Sequence, residues 1–336
     1  MEEVSSIAKN IDKTFYITSK FFPKKVREDV ARLYGFVGTV KMYADTKDNH
    51  KKVLALEKSY ESAISNNSFD AIAHKWDDTD TRIIKHIVRL RHKYKFDTAW
   101  VVSFFKSMKM DIDSKKYSSI DELLTYIYGS SETVGLMLAK ILNLPEESNP
   151  AVQLQARAIK WADLLRSIGD DASNSRQYFP ASELKKYGLK NLAEEEAKAN
   201  HKEYEKFIFS QIKQFRKWQN DADKGITYVP ERYQVPIRTT ISIYSWIIDE
   251  IEADPLMVFD KKLVPRKRQI IRKIIQNSAK GTARVTVRTT KQVKAGVKKV
   301  KPATKATIPK IKQAPSVAKE KAKELKDKYI EIEEEH

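Results

Sequence analysis

From Ile11 to Gln276 the apolar residues recur at three- and four-residue intervals, and this periodicity limits the kind of fold the chain can adopt. Val26, Val30, Leu33, Val37 and Val40 share one helical face, as do Tyr204, Ile208, Ile212 and Phe215. No stretch sustains period-two alternation, no internal repeat is visible, and glycine is only 9 of 336 residues, so helix is the expected element. Helix starts are predicted at Asp80 ahead of Thr81 to Lys93, at Ser119 ahead of Asp121 to Tyr128, and at Ser182 with Glu183 ahead of Leu184. Pro23, Pro145, Pro150, Pro180, Pro230, Pro255 and Pro265 punctuate the segments. The expected organisation is a short extension over 1–10, an all-α domain over 11–277 and a Lys-rich low-complexity tail over 278–336. The domain is near the upper size for one core.

The formal net charge is +18, and half of it falls in that tail, where eleven Lys and Arg occur between Ser278 and Ala318 with no acid among them. With one aromatic, Tyr329, the tail cannot bury enough apolar area to offset its ordering entropy, so disorder is predicted. Three uses are open to it: a solvated linker, a polybasic arm on an anionic membrane surface, or a nucleic-acid contact of the kind linker-histone tails make. The body carries no nucleic-acid recognition motif. Cysteine is absent, which excludes disulfides and thiolate metal sites and fits a reducing compartment. Neither a secretory signal nor a membrane-spanning run is present, so a cytoplasmic protein at the membrane periphery is expected.

Phosphate-binding glycine loops and a nucleophile elbow are missing, and the six histidines show no paired metal-ligand spacing. The acids of Trp76 to Asp80 precede a helix and read as capping groups. The most informative stretch is Asp163 to Asp171. Asp163, Ser167 and Asp171 fall at i, i+4 and i+8, which on a continuous helix stacks three hard oxygen donors on one face beside Arg166. The spacing is open to two readings, a Mg²⁺ site or a polar helix end followed by a loop.

Gln155 to Leu189, including LLRSIGDDASNSRQYFPASELKKYGL, resembles the second aspartate-rich region of the squalene/phytoene synthase family, NILRDVGEDxxxGRxYLPxxxLxxxGL. Asp12 to Phe15 with Pro23, the region from Met110-Asp111 through Tyr117 to Gly135, and Ile226 to Lys267 are similar to the family's other segments in the same order. The resemblance implies an all-α isoprenoid synthase fold of class I, a helical bundle around a central apolar cavity. It further implies head-to-head joining of two prenyl diphosphates, such as farnesyl or geranylgeranyl diphosphate, in isoprenoid or carotenoid biosynthesis, with Mg²⁺ as cofactor. Metal and catalytic roles then fall to Asp45, Asp163, Ser167 and Asp171. Diphosphate contacts fall to Lys41, Arg166, Arg176, Tyr244, Lys261 and Lys262.

The chain departs from this pattern at its first acidic motif, FCRxxDDxxD, which reads Phe36 to Asp45 here: Gly38 replaces the arginine, and Lys41 and Met42 replace two aspartates. Asp48 offers a displaced partner for Asp45. In the second motif Asp163 stands for asparagine and Ser167 for aspartate. Ser131 and Glu132 replace Ala-Gly, and a carboxylate there needs a partner, for which Lys41 is the candidate. Two functions stay open: a divergent Mg²⁺-dependent prenyltransferase, or a noncatalytic relative acting as a lipid-binding or assembly protein at the membrane.

Overall fold

In the computed structural model the described residues are 18–19, 21–65, 78–113, 116–260, 263–266 and 268–278. Among them every regular element is helical. In chain order these are α1 (Lys24–Asp45), α2 (His50–Ser65), α3 (Asp78–Tyr94), α4 (Thr98–Ile112), α5 (Ile120–Ile127), α6 (Thr133–Ile141), α7 (Asn149–Arg166), α8 (Ile168–Ser173), α9 (Ala181–Lys185), α10 (Glu194–Ala199), α11 (His201–Asp223), α12 (Glu231–Ala253), α13 (Met257–Asp260) and α14 over 268–278. The basic tail, the segment from Asp12 to Phe15, and Trp76 and Asp77 lie outside the described residues.

Two apolar clusters organise the bundle. One gathers Val30, Leu33, Phe36 and Val40 of α1 with Phe104 and Phe105 of α4, Val53 and Leu56 of α2, and Ile84 and Ile87 of α3. The other centres on Trp161 of α7 with Phe207, Ile208 and Phe215 of α11 and Ile247 and Ile251 of α12. The heptad-like faces read from the sequence are thus the buried faces, because a helix lowers its free energy by turning its apolar stripe inward. Trp161 also donates its indole N–H to the Gln211 carbonyl at 3.2 Å, so its one polar atom is satisfied inside the core.

Capping explains one predicted start and corrects two others. Ser119 accepts from Glu122 N at 3.2 Å, while the Glu122 carboxylate accepts from Ser118 N at 2.7 Å, and α5 begins there as expected. Asp80 is not a cap: α3 begins at Asp78, and the buried Asp80 carboxylate accepts from Tyr43 Oη at 2.7 Å. Ser182 lies inside α9, whose start follows Pro180, and donates to the Ser118 carbonyl. Pro180 pre-sets the entry dihedral without needing a donor.

Between α5 and α6 the chain widens into a π-helical turn, Tyr128–Glu132, packed on α4 and α7. Gly129 permits this approach: a Cβ there would lie 2.2 Å from the Ser103 carbonyl oxygen. The turn carries Glu132 inward, with no exposed surface, where it accepts from Arg157 Nε at 2.7 Å and Gln153 Nε2 at 3.2 Å. The proposed Glu132–Lys41 pair is therefore incorrect; residues one helix further along, on α7, neutralise the carboxylate, and Lys41 is engaged elsewhere.

Candidate functional site

Charged side chains from the C-terminal ends of α1 and α7 converge with others from α4, α8 and the loop after α8. Lys41 and Asp45 end α1, one turn apart, with Lys41 Nζ 3.6 Å from Asp45 Oδ2. On α7, Lys160 and Asp163 share a face, with Lys160 Nζ 3.8 Å from Asp163 Oδ2, and Arg166 closes on Asp163 from the next turn. Arg166 also donates to the Leu263 carbonyl at 3.4 Å. The loop after α8 supplies Arg176, whose Nη1 is 2.8 Å from Asp45 Oδ1.

Asp163, Ser167 and Asp171 keep i→i+4 backbone bonds, Ser167 N to Asp163 O at 3.0 Å and Asp171 N to Ser167 O at 2.7 Å, although regular helix is interrupted at Ser167. Helix α7 ends at Arg166, Ser167 takes up φ −95° and ψ 5°, and α8 restarts at Ile168. Gly169 sits at this junction because Val258 of α13 packs on it; a Cβ would meet the Val258 carbonyl oxygen at 2.4 Å. The consequence is local pairing: Ser167 Oγ donates to Asp171 Oδ2 at 2.5 Å, while Asp163 turns to Arg166 and Lys160.

Lys160 completes the cluster, and spacing alone did not single it out. Lys160, 11% exposed, lies 5.4 Å from the ring centre of Tyr126 and 5.8 Å from that of Tyr178, an arrangement that holds an ammonium on two aromatic faces. Both phenols point their hydroxyls at the buried Asp111, Tyr178 at 2.8 Å and Tyr126 at 3.0 Å. A sign of Lys160 was present in the sequence: Lys160, Asp163 and Ser167 recur at spacings of three and four.

Electrostatics follow from this crowding. Burial pulls Lys41 down, but Asp45, Asp111, Asp163 and Asp171 together hold its pKa above the ordinary lysine value. For Lys160 burial wins, with Lys41 adding to it, and its pKa falls. Burial disfavours ionised Asp163, yet Arg166, Lys160 and Lys41 bring it down to about 2. Asp171 goes the other way: burial, reinforced by Asp163, pushes it up to about 6 against the hydrogen bond from Ser167. Burial and Asp111 drive Tyr126 and Tyr178 far above the usual phenol range, so both remain hydrogen-bond donors.

Tyr244 is buried in the apolar cluster around α12 with Ile243, Ile247 and Ile248. Lys261 and Lys262 lie outside the described residues. Asp48 is in a separate turn beyond the end of α1, exposed, and does not continue the Asp45 face. Beside the ion cluster opens a cleft of about 420 Å³, with Asp171, Arg176 and Tyr178 at one wall and Leu164, Ile168 and Phe179 among its apolar lining.

Mg²⁺, on which enzymes of the resembled type generally depend, takes an octahedral oxygen shell rich in carboxylate and phosphate. The donor set does not fit that ion. Asp45 is shared between Lys41 and Arg176, Asp163 between Lys160 and Arg166, and Asp171 is bound by Ser167. Among the described residues no three His, Asp or Glu side chains are gathered to hold a metal.

A family model described as Squalene/phytoene synthase matches residues 8–269. Phytoene synthase 3, chloroplastic, of Zea mays is 24% identical over 277 residues, covering 79% of this chain and 62% of the relative. Phytoene synthase, chloroplastic, of Narcissus pseudonarcissus is 30% identical over 178 residues, covering 51% and 42%. The chain thus spans less than two thirds of the length of these curated relatives. Among solved structures, a dehydrosqualene synthase in complex with ligand superposes with a TM-score of 0.68 at 17% identity, covering 83% of this chain and 95% of that one. Squalene synthase HpnC from Alicyclobacillus acidocaldarius gives 0.63 at 16% identity, covering 75% and 92%. At these identities the structural matches establish the all-α isoprenoid synthase fold.

Proposed function

The chain belongs to the squalene/phytoene synthase family, and on that premise we propose that it acts on prenyl diphosphates as a prenyltransferase of isoprenoid biosynthesis, ionising or condensing substrates such as farnesyl or geranylgeranyl diphosphate. The observation that carries this reading is the convergence of Lys41, Lys160, Arg166 and Arg176 from three parts of the chain on one site bordered by apolar helices. Departure of a diphosphate builds negative charge on the leaving oxygens, and preorganised cations in a partly dry site stabilise it far better than water does. The guanidinium of Arg176 presents a fork suited to phosphate oxygens, and the ammonium groups act as point charges.

The organic cation left behind needs surroundings that do not intercept it. Glu132 satisfies this despite its burial, because Arg157 and Gln153 occupy both carboxylate oxygens. Asp171, held up at about 6, is the group best poised to accept or return a proton near neutral pH. No step is assigned to Mg²⁺, since the acids present are already engaged.

Incubation of the chain with labelled farnesyl or geranylgeranyl diphosphate, with and without divalent metals, tests the proposal by release of pyrophosphate. Absence of release under every metal condition would overturn it, and an active Asp171→Ala variant would show that the chemistry lies elsewhere. We assign the body to 11–277 and the tail over 278–336 to an anionic membrane surface, on the strength of its charge alone. Salt-sensitive flotation with anionic liposomes, lost when the tail is removed, is the expected result; preferential binding to duplex DNA would refute it.

A further inference from the structure

The ion cluster contains four cations, Lys41, Lys160, Arg166 and Arg176, and four acids, Asp45, Asp111, Asp163 and Asp171, so its charge is balanced without any ion from solution. Two of those cations are ammonium groups delivered from different helices, α1 and α7, to the same set of carboxylates. Lys160 is preorganised: two tyrosine faces hold it, and the hydroxyls of those tyrosines are anchored on Asp111. Lys41 is held by Asp45, which Arg176 fixes from the far side. A divalent ion entering here would meet the repulsion of both lysines and would have to strip each acid of its present partner.

A diphosphate group faces the opposite balance. Its oxygens accept from N–H donors, so it can compete with the carboxylates for Lys41, Lys160 and Arg176. The sequence points the same way. Relative to the two acidic motifs quoted above, Gly38 and Asp163 each remove one positive charge, Met42 and Ser167 each add one, and Lys41 adds two. The outcome is two charges more positive, which is the charge of one divalent ion.

We propose that the Lys41 and Lys160 ammonium groups are the built-in counter-ions of the diphosphate, so that this chain binds diphosphate-headed ligands without a divalent metal. The inference rests on the prenyl diphosphate reading above and adds to it the identity of the countercharge.

Calorimetric titration of the full chain with inorganic pyrophosphate, and separately with an unreactive farnesyl thiodiphosphate, in EDTA and in excess Mg²⁺ tests it. Affinities in EDTA within about twofold of those in Mg²⁺ are expected, with Lys41→Met and Lys160→Met each weakening binding by roughly tenfold or more, the loss of one charge-assisted hydrogen bond. Binding seen only with Mg²⁺ would overturn the inference while leaving the substrate reading intact. No binding of either probe under either condition would overturn both. A second measurement does not depend on the affinity of the wild type. Lys41→Asp combined with Ser167→Asp should create a Mn²⁺ site visible by electron paramagnetic resonance, in a variant whose helical circular dichroism shows it folded. Equal Mn²⁺ binding by the unaltered chain would refute the substitution of lysine for metal.

Discussion

Arg176 Nη1 lies 2.8 Å from Asp45 Oδ1, a contact between residues 131 apart in sequence that ties the loop after α8 to the last turn of α1. Each of the two acidic motifs is otherwise closed on itself, Lys41 with Asp45 on one helix and Ser167 with Asp171 across the junction at the other. Arg176 is the direct link between them, and because it bridges rather than buries, its worth is positional.

Arg176→Ala should therefore change unfolding free energy by under about 1 kcal/mol, since the pair is partly exposed and solvent screens it. Pyrophosphate affinity should fall by at least about tenfold, the cost of one charged donor. Urea unfolding and calorimetry on the same preparation separate the two effects. A large loss of stability with intact binding would show that the link is structural.

Glu132 and Arg157 make the opposite case. The carboxylate is fully enclosed, and removing its guanidinium leaves an uncompensated buried charge. Arg157→Met is expected to cost about 3–5 kcal/mol, and Glu132→Gln in the same chain should recover a substantial part of it. A double-mutant cycle by chemical denaturation measures the coupling; additive single effects would contradict the pairing.

Gly169 allows α13 to lie against α8. Gly169→Ala would place a methyl group where the Val258 carbonyl now is and should destabilise the chain by about 1–3 kcal/mol through overpacking. The same change loosens the segment that holds Ser167 and Asp171, so ligand affinity should drop with stability. Thermal melts with and without pyrophosphate read both.

His86 supplies a pH dependence away from the site. Burial and the nearby Arg32, Arg89 and Arg82 lower its pKa to about 4, below the unfolded value of 6.5. Its folded-state value is depressed, so the stability it contributes is complete above pH 6.5 and is lost as pH falls through the window down to about 4. His86→Gln should flatten the stability curve between those values, and an unchanged slope would show that other groups set it.

How far the sequence foretold this depends on the range of the interactions. Val30, Leu33, Ile208 and Ile212 are buried where their helical spacing puts them, because an apolar stripe is a local property of one helix. Asp45, Asp163, Ser167, Asp171, Arg166 and Arg176 do converge, since motif order in a known fold specifies their neighbourhood. Pairing within that neighbourhood was less legible. Glu132 takes Arg157 rather than Lys41 because the π-helical turn sets its direction, and that turn depends on a close approach of Gly129 to α4. The interruption of regular helix at Ser167 falls two residues before Gly169, on which Val258 of α13 packs from some ninety residues later, a contact outside the reach of local spacing.

The Ser167–Asp171 contact gives the last prediction. The hydroxyl donates to the Asp171 carboxylate and favours its ionised form, opposing the burial that pushes this acid up to about 6. Ser167→Ala removes that donor, so Asp171 should titrate above about 6. An acid whose folded pKa is raised binds its proton more tightly folded than unfolded, so its contribution favours the folded state at low pH and turns against it as pH rises from about 4 through the folded value. The variant should accordingly be unaffected at pH 4 and less stable than the parent at pH 8. Carboxyl carbon shifts across a pH series, with Asp171→Asn as the assignment control, measure the pKa directly. A downward shift in Ser167→Ala would mean that the hydroxyl accepts from a protonated Asp171 instead of donating to it, and the proton inventory of the site would have to be rewritten with that hydrogen on the acid.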